Sequence, residues 1–344
     1  MNETILTWIV FILAFGGMVL IHEFGHFIAA RLCGIEVEEF GIGLPTPGAL
    51  TLFTWQGTRF TLNWLPLGGF VRPKGENDPN VAGGLAAASP WKRLIVLFAG
   101  PLMNLLAAVL IYSIIFTRVG VPDANRVLVS SVTEDSPAAQ AGFEYGDIFI
   151  SGNGQPIHNY DELRVIVDAN KDKPVNFLVD RHGEQIKLTT TPVMNTEANR
   201  IMIGVGLGVP FKQPSSPVET VSLGAQYTYF NIRALVALPA QMLRGSLNSD
   251  QSRLVGLKGI YDILHQTVSH DVQASTTAAP VSTDPIDQPV RTLELIASLS
   301  ISLGIFNLFP FPALDGGRII FVLPELIFRR RVSPQVENLI HGMG

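Results

Sequence analysis

Three stretches of this 344-residue chain run without a charge for about the length a helix needs to cross a membrane. Thr4 to Ile21 gives 18 residues between Glu3 and His22, Leu94 to Thr117 gives 24 between Arg93 and Arg118, and Leu295 to Leu314 gives 20 between Glu294 and Asp315. A hydrocarbon core of about 30 Å takes roughly 20 apolar residues as a helix, the one open structure that satisfies its own backbone there. Composition agrees: 47% of residues are hydrophobic, 15% are charged and mean hydropathy is +0.31, against about 25% charged in an ordinary soluble protein. The net charge of −5 lacks the basic excess that neutralises phosphates, so nucleic acid is excluded as a partner. A single cysteine, Cys33, closes no intramolecular disulfide and builds no Cys-based zinc ribbon.

Basic residues set the expected orientation. Arg31, Arg59, Arg72, Lys74, Lys92 and Arg93 fall between the first and second runs, which places that segment in the cytoplasm. The chain then returns outside after Thr117 and crosses inward through the third run, delivering Arg329, Arg330 and Arg331 to the cytoplasm. A fourth stretch, Val218 to Leu243, is interrupted by Arg233 and Pro239, and reads as an amphipathic helix on the membrane surface. A cleaved signal peptide is the alternative for the N-terminus, but no basic region precedes the first run and no small-residue cleavage site follows it.

Between the second and third runs the composition becomes that of a small α+β domain. Arg126 to Val132 reads as a strand, and Ser136-Pro137 starts a short helix that Gly142 stops. Gly146 to Ile157 reads as a hairpin. Asn159 caps a helix with Leu163, Ile166 and Val167 on one face, and Val175 to Val179 pairs with Glu184 to Thr190. This order resembles a bacterial PDZ domain, which implies capture of an extended peptide or chain end by strand addition; a spacer that limits access by bulk is the alternative. Ser269 to Pro289, rich in Ser, Thr, Ala and Pro, reads as a flexible linker.

The chemistry sits where the first run ends. His22-Glu23-Phe24-Gly25-His26 sets two imidazoles at i and i+4 on one helix face, with a carboxylate beside them to handle the proton of a zinc-bound water. Chance supplies about 0.006 such matches in a chain of this composition. A catalytic zinc takes three protein ligands and leaves a position open. Asp315, directly after the third run, reaches the same cytoplasmic depth, and Pro310 and Pro312 break the helix before it. His265, His270 and Glu325 are the weaker third ligands. Arg59-Phe60-Thr61-Leu62-Asn63 alternates strictly and, with Leu50 to Trp55 across Gln56-Gly57, reads as a hairpin able to offer an edge to substrate; packing on the core is its bland alternative.

HExxH at residues 22–26, Gly100-Pro101-Leu102-Met103-Asn104, the PDZ-like order and Asn307-x-x-Pro310-x-Pro312-x-Leu314-Asp315-Gly316-Gly317 together resemble the site-2 protease family of intramembrane zinc metalloproteases. The resemblance implies one zinc ion on His22, His26 and Asp315, Glu23 as general base, and Asn307 holding substrate or the oxyanion. It also implies a membrane-reentrant β-hairpin, with Arg59, Phe60, Thr61, Leu62, Asn63, Pro310 and Pro312 as substrate-binding candidates. One PDZ domain stands where many relatives carry two, and a last transmembrane helix is expected beyond residue 344. The expected fold is membrane α-helical, with three spans, an interfacial amphipathic helix, a re-entrant β-hairpin and one inserted extracytoplasmic α+β PDZ domain.

Its divisions are a first span (1–30), a cytoplasmic-side loop with the hairpin (31–93), a second span (94–118), the PDZ domain (119–213), a surface helix and linker (214–289), a third span (290–323) and a cytoplasmic segment (324–344). The expected activity is cleavage of single-pass substrates in the bacterial inner membrane, with a peptide at the PDZ domain and the lipid bilayer as further partners. A catalytically silent PDZ adaptor is the competing reading, and Glu23 argues against it, since binding alone needs no proton-handling carboxylate.

Overall fold

A computed structural model describes residues 2–195, 200–244, 256–276, 288–329 and 331–332. The chain divides into two units, one of residues 1–115, 216–276 and 289–344, the other of residues 116–215 and 277–288.

The first unit is built on helices α1 (Glu3–Leu32) and α2 (Pro90–Val119), each 30 residues, or about 45 Å at 1.5 Å per residue. Among the described residues these are the two helices long and apolar enough to cross a membrane. The Asn2 side chain accepts from the Thr4 amide and caps α1, and Glu3 complements the dipole in its first turn. Helix α2 is apolar on its outer face as well as its inner one. Ile95, Phe98, Leu102, Leu106 and Leu110 form an exposed apolar stripe, while Gly100, Asn104, Ala108 and Ser113 are buried. Leu94, Val96, Leu97, Tyr112 and Ile115 are buried as well, so the helix is apolar on both sides, with its small and polar residues on the inner one, an arrangement that hydrocarbon solvates better than water.

The third charge-free run is only partly helical. Helix α7 covers Arg291–Asn307, 17 residues, and ends before Pro310 and Pro312; α8 covers Asp315–Phe328. The segment expected to hold a surface helix and a linker contains α5 (Pro217–Leu243) and α6 (Leu257–Thr276). Ser216 and Pro217 start α5, and its Gly224 presses against the Val109 carbonyl and Ser113 of α2. Residues 269–276 are therefore the last turns of α6, not linker: Leu264 and Val268 are buried, and His265 Nδ1 lies 2.9 Å from Thr7 Oγ1 of α1. The Asp271 carboxylate then accepts from the Arg291 and Thr292 amides and caps α7. Residues 277–287 and 333–344, the rest of the expected linker and most of the last segment, lie outside the described residues.

A four-stranded sheet stands on α1. Its strands are β1 (Val37–Leu44), β2 (Leu50–Trp55), β3 (Thr58–Leu62) and β4 (Leu65–Pro73), in the order β2-β3-β1-β4, with β1 and β3 parallel. Glu39 of β1 sets the register: it is 5% exposed and accepts from Thr61 Oγ1, Arg59 Nη2 and Arg72 Nη1, so one carboxylate ties three strands. Phe40 and Phe60 lie against Phe27 of α1, with ring centroids 5.5 and 5.6 Å away. Arg59 to Leu62 is consequently interior to the sheet, paired on both sides. The free edges belong to β2, every residue of which is exposed, and to β4.

The second unit carries β5 (Val121–Pro122), β6 (Val127–Val132), α3 (Pro137–Ala141), β7 (Ile148–Gly152), β8 (Gln155–Pro156), α4 (Tyr160–Ala169), β9 (Val175–Arg181), β10 (Glu184–Thr190), β11 (Val193–Asn195), β12 (Arg200–Met202), β13 (Val205–Gly208) and β14 (Phe211–Lys212). Its main sheet runs β10-β9-β7-β6-β13, with β8 beside β7. Phe143, Phe149 and Phe177 centre the core, joined by Leu163, Ile166 and Val167 from α4, which Asn159 caps. One ion pair locks the turn after α3: Asp147 is fully buried, and Arg181 grips both its oxygens at 2.7 and 2.8 Å while bonding Glu144 and the Gly142 carbonyl. Arg181→Met strands that carboxylate in the interior. It is expected to destabilise this domain by about 3–5 kcal/mol, read as early protease cleavage within residues 119–213 on a thermal ramp; an unchanged ramp would show the pair to be dispensable.

Candidate metal centre

The i, i+4 spacing on α1 turns the His22 and His26 rings toward one point, their Nε2 atoms 3.1 Å apart. Asp315 Oδ2 completes a triangle, 3.1 Å from His22 Nε2 and 3.4 Å from His26 Nε2. A tetrahedral zinc with bonds of about 2.0–2.1 Å separates its ligand atoms by about 3.3 Å, so these donors match zinc in type and in spacing. Both histidines are buried and the Asp315 side chain is 16% exposed.

Local structure explains how a residue 293 positions away arrives there. After Asn307 the chain turns through Leu308–Leu314, where two prolines withhold amide protons and Ala313 takes φ +67°, a left-handed conformation costing a non-glycine residue about 1–2 kcal/mol. Helix α8 then starts on Asp315, so the carboxylate leaves from its first turn. Gly316 permits this docking, because a Cβ there would sit 2.2 Å from the Leu308 carbonyl oxygen. The far end of α8 is pinned by a part-buried Arg93–Glu325 pair at 2.8 Å. That pair engages Glu325, while His265 bonds Thr7 and His270 bonds Asp271, so none of the three weaker candidates joins the cluster.

Helix α2 closes the other side of the histidines. His26 Nδ1 donates to the Val96 carbonyl at 2.7 Å, and Asn104 Nδ2 lies 3.2 Å from His22 Nδ1. Between them Gly100 faces the rings so closely that a Cβ would lie 2.3 Å from His26 Nε2. The Gly100 to Asn104 segment was legible as a motif, but nothing in its spacing said which rings it would meet.

Glu23, one residue from the first ligand, has its Oε2 3.0 Å from the Val71 amide, which donates to it from the outer edge of β4. A cavity of about 270 Å³ opens here, bounded by His22, Glu23, His26 and Asp315, by Phe70 and Val71 of β4, and by Asn307. Arg318 of α8 pairs with Glu76 at its rim. Asn307 Nδ2 donates to the Leu303 carbonyl, which holds the side chain along the cavity wall. Pro310 and Pro312 shape the turn and do not line the cavity; nor do Arg59, Phe60, Thr61, Leu62 and Asn63, whose polar groups serve the sheet. Sequence reasoning missed β4, the strand nearest the carboxylate, because Pro66-Leu67-Gly68-Gly69 reads as loop.

In the second unit a cavity of about 330 Å³ lies between α4 and edge strand β13, lined by Leu163, Val167, Gly204, Val205 and Leu207, with Arg164 and Arg200 beside it. A helix facing a free strand edge is the geometry that accepts an added strand.

Comparison with known proteins places these features. The model for peptidase family M50 matches residues 10–344. A relative from Clostridium perfringens, provisionally named a zinc metalloprotease, is 31% identical over 334 residues, covering 97% of this chain and 92% of its own length. The metalloprotease MmpA of Caulobacter vibrioides is 28% identical over 355 residues, covering 93% and 86%. Among solved structures, the PDZ domain of an SdrC-like protein from Listeria monocytogenes overlaps 24% of this chain and 87% of its own, with 20% identity and a TM-score of 0.22. With a family match across nearly its whole length, the chain belongs to peptidase family M50, the site-2 proteases.

Proposed function

We propose that this chain is an intramembrane zinc metalloendopeptidase that hydrolyses peptide bonds within the transmembrane segments of single-pass substrates, as in regulated intramembrane proteolysis of anti-sigma factors or remnant signal peptides. The observation that carries the reading is the meeting of His22, His26 and Asp315, with Glu23 beside them, where one apolar helix and the turn after another converge. The charge pattern supports a bacterial inner-membrane location, with this site toward the cytoplasm and the PDZ-like domain outside.

A zinc ion bound by those three side chains supplies the Lewis acidity that lowers the pKa of water and polarises a carbonyl. Glu23 takes the proton from the attacking water and passes it to the leaving amine. Asn307, on the cavity wall, orients the scissile carbonyl and steadies its developing negative charge. A substrate helix must first unwind, since its amides are occupied, and an extended segment in lipid needs partners for its backbone. The four-stranded sheet offers them. The hairpin containing Arg59 to Asn63 contributes edge β2, but β4 is the edge that touches Glu23, and substrate is placed there. The groove between α4 and β13 takes a peptide or chain end and selects or gates substrates.

Purified protein should bind about one zinc and cut a reporter single-pass substrate. Glu23→Gln is expected to keep the zinc and lose about 10²–10⁴-fold in rate, and Asp315→Ala to lose the zinc; activity surviving in either, or wild type without zinc, sinks the assignment. A substrate cysteine near the cut should cross-link to Phe70→Cys on β4 and not to Phe53→Cys on β2, and the reverse pattern would move substrate to the other edge. Leu207→Arg should block peptide capture by the second unit while sparing cleavage of a reporter that has no extracytoplasmic part; unimpaired capture would remove the groove from the account.

A further inference from the structure

A histidine binds a metal through the ring nitrogen that carries no proton, so whatever touches the other nitrogen decides whether it is ready. For His26 the matter is closed. The Val96 carbonyl can only accept, so Nδ1 holds the proton and Nε2 keeps a lone pair facing Asp315 and His22. His22 lacks such a carbonyl, and its Nδ1 faces the side chain of Asn104.

Asn104 is fully buried at the middle of α2. Its backbone is held by α7, where Ser300 Oγ donates to the Asn104 carbonyl at 2.8 Å and Gly304 lets the two helices close. The carboxamide has its amine toward the ring at 3.2 Å, whereas its Oδ1 is buried without a partner. That orientation suits a ring protonated on Nε2, the nitrogen that must be bare to bind a metal. The amide's oxygen and nitrogen are nearly the same size, so turning the group by 180° changes no packing. With the amine toward the ring, Oδ1 has no partner, so turning the group breaks no bond to Oδ1, and the ring decides. Only with Oδ1 accepting from Nδ1–H does His22 Nε2 present its lone pair to the point shared with His26 and Asp315.

We infer that Asn104 is the positioning residue for His22: its side-chain oxygen holds the ring in the Nδ1-protonated tautomer, aimed at the metal. The inference rests on the zinc protease reading above. It gives the fifth residue of Gly100-Pro101-Leu102-Met103-Asn104 a task, next to a glycine whose missing side chain leaves space for the same rings. The requirement is for an acceptor of this size, not for an amide.

Zinc-loaded protein, ring-labelled with ¹⁵N-histidine, tests this directly by nitrogen NMR, with His22 assigned by comparison with His22→Gln and zinc affinity read by chelator competition. Wild type should show His22 protonated on Nδ1. Asn104→Leu, of similar volume but without an acceptor, should bind zinc about 10–100-fold more weakly. Asn104→Asp, which still accepts, should restore affinity to within a few fold and keep the tautomer. Equal affinity in wild type and Asn104→Leu would overturn the inference, as would an equal loss in Asn104→Asp and Asn104→Leu, which would reduce Asn104 to packing. Wild type that binds no zinc would overturn the metal reading itself, and the inference with it.

Discussion

Carboxylates and imidazoles at the end of a long apolar helix are expensive unless something takes up their charge and lone pairs, and the first unit is organised around that demand. His22, His26 and Asp315 satisfy it by meeting within 3.1–3.4 Å, a spacing that a zinc ion fills. Everything near them serves the meeting. Helix α2 crosses with Gly100 where any side chain would collide with the rings, and α8 docks through Gly316 so that its first residue faces α1. The remote Arg93–Glu325 pair ties the far end of α8 back to α2.

The outer surface of the first unit is strongly apolar. The stripe from Ile95 to Leu110 on α2 and the exposed strand β2, with Leu50, Leu52, Phe53 and Trp55, would drive a soluble protein to aggregate. The buried interior combines apolar side chains such as Phe27, Phe40, Val96 and Val322 with small residues and a few polar ones, of which Glu39 with three partners is the clearest case. The second unit has a core of phenylalanines and aliphatic residues, with the buried carboxylate of Asp147 paired to Arg181.

What could be read in advance divides by range. The histidine pair lies within one helical turn, and Asp315 announces itself by ending a charge-free run, so both were legible. The PDZ-like order was legible because its caps are local: Ser136 and Asn159 do what their types do elsewhere. Strands β1 and β4 were not, since Glu36 to Glu39 and Pro66 to Gly69 carry loop-like composition and become strands only by pairing with each other and with β3. Residues 269–276 looked like linker because Ser and Thr are poor helix formers; packing of α6 on α1 overrides that preference. Asn104 stayed mute because its partner is 82 residues away.

The bond between the Val71 amide and Glu23 has one more consequence. A backbone amide has a single proton to give, and this one is already engaged, so a strand docking on β4 cannot use it freely. The next amide that faces the same way belongs to Gly69, two residues back and about 6.6–7 Å along the strand, since Pro73 on the other side has no proton to give. For the substrate strand proposed above, Val71 would thus work like the zero mark of a ruler, with the docked chain free to slip only in two-residue steps from it.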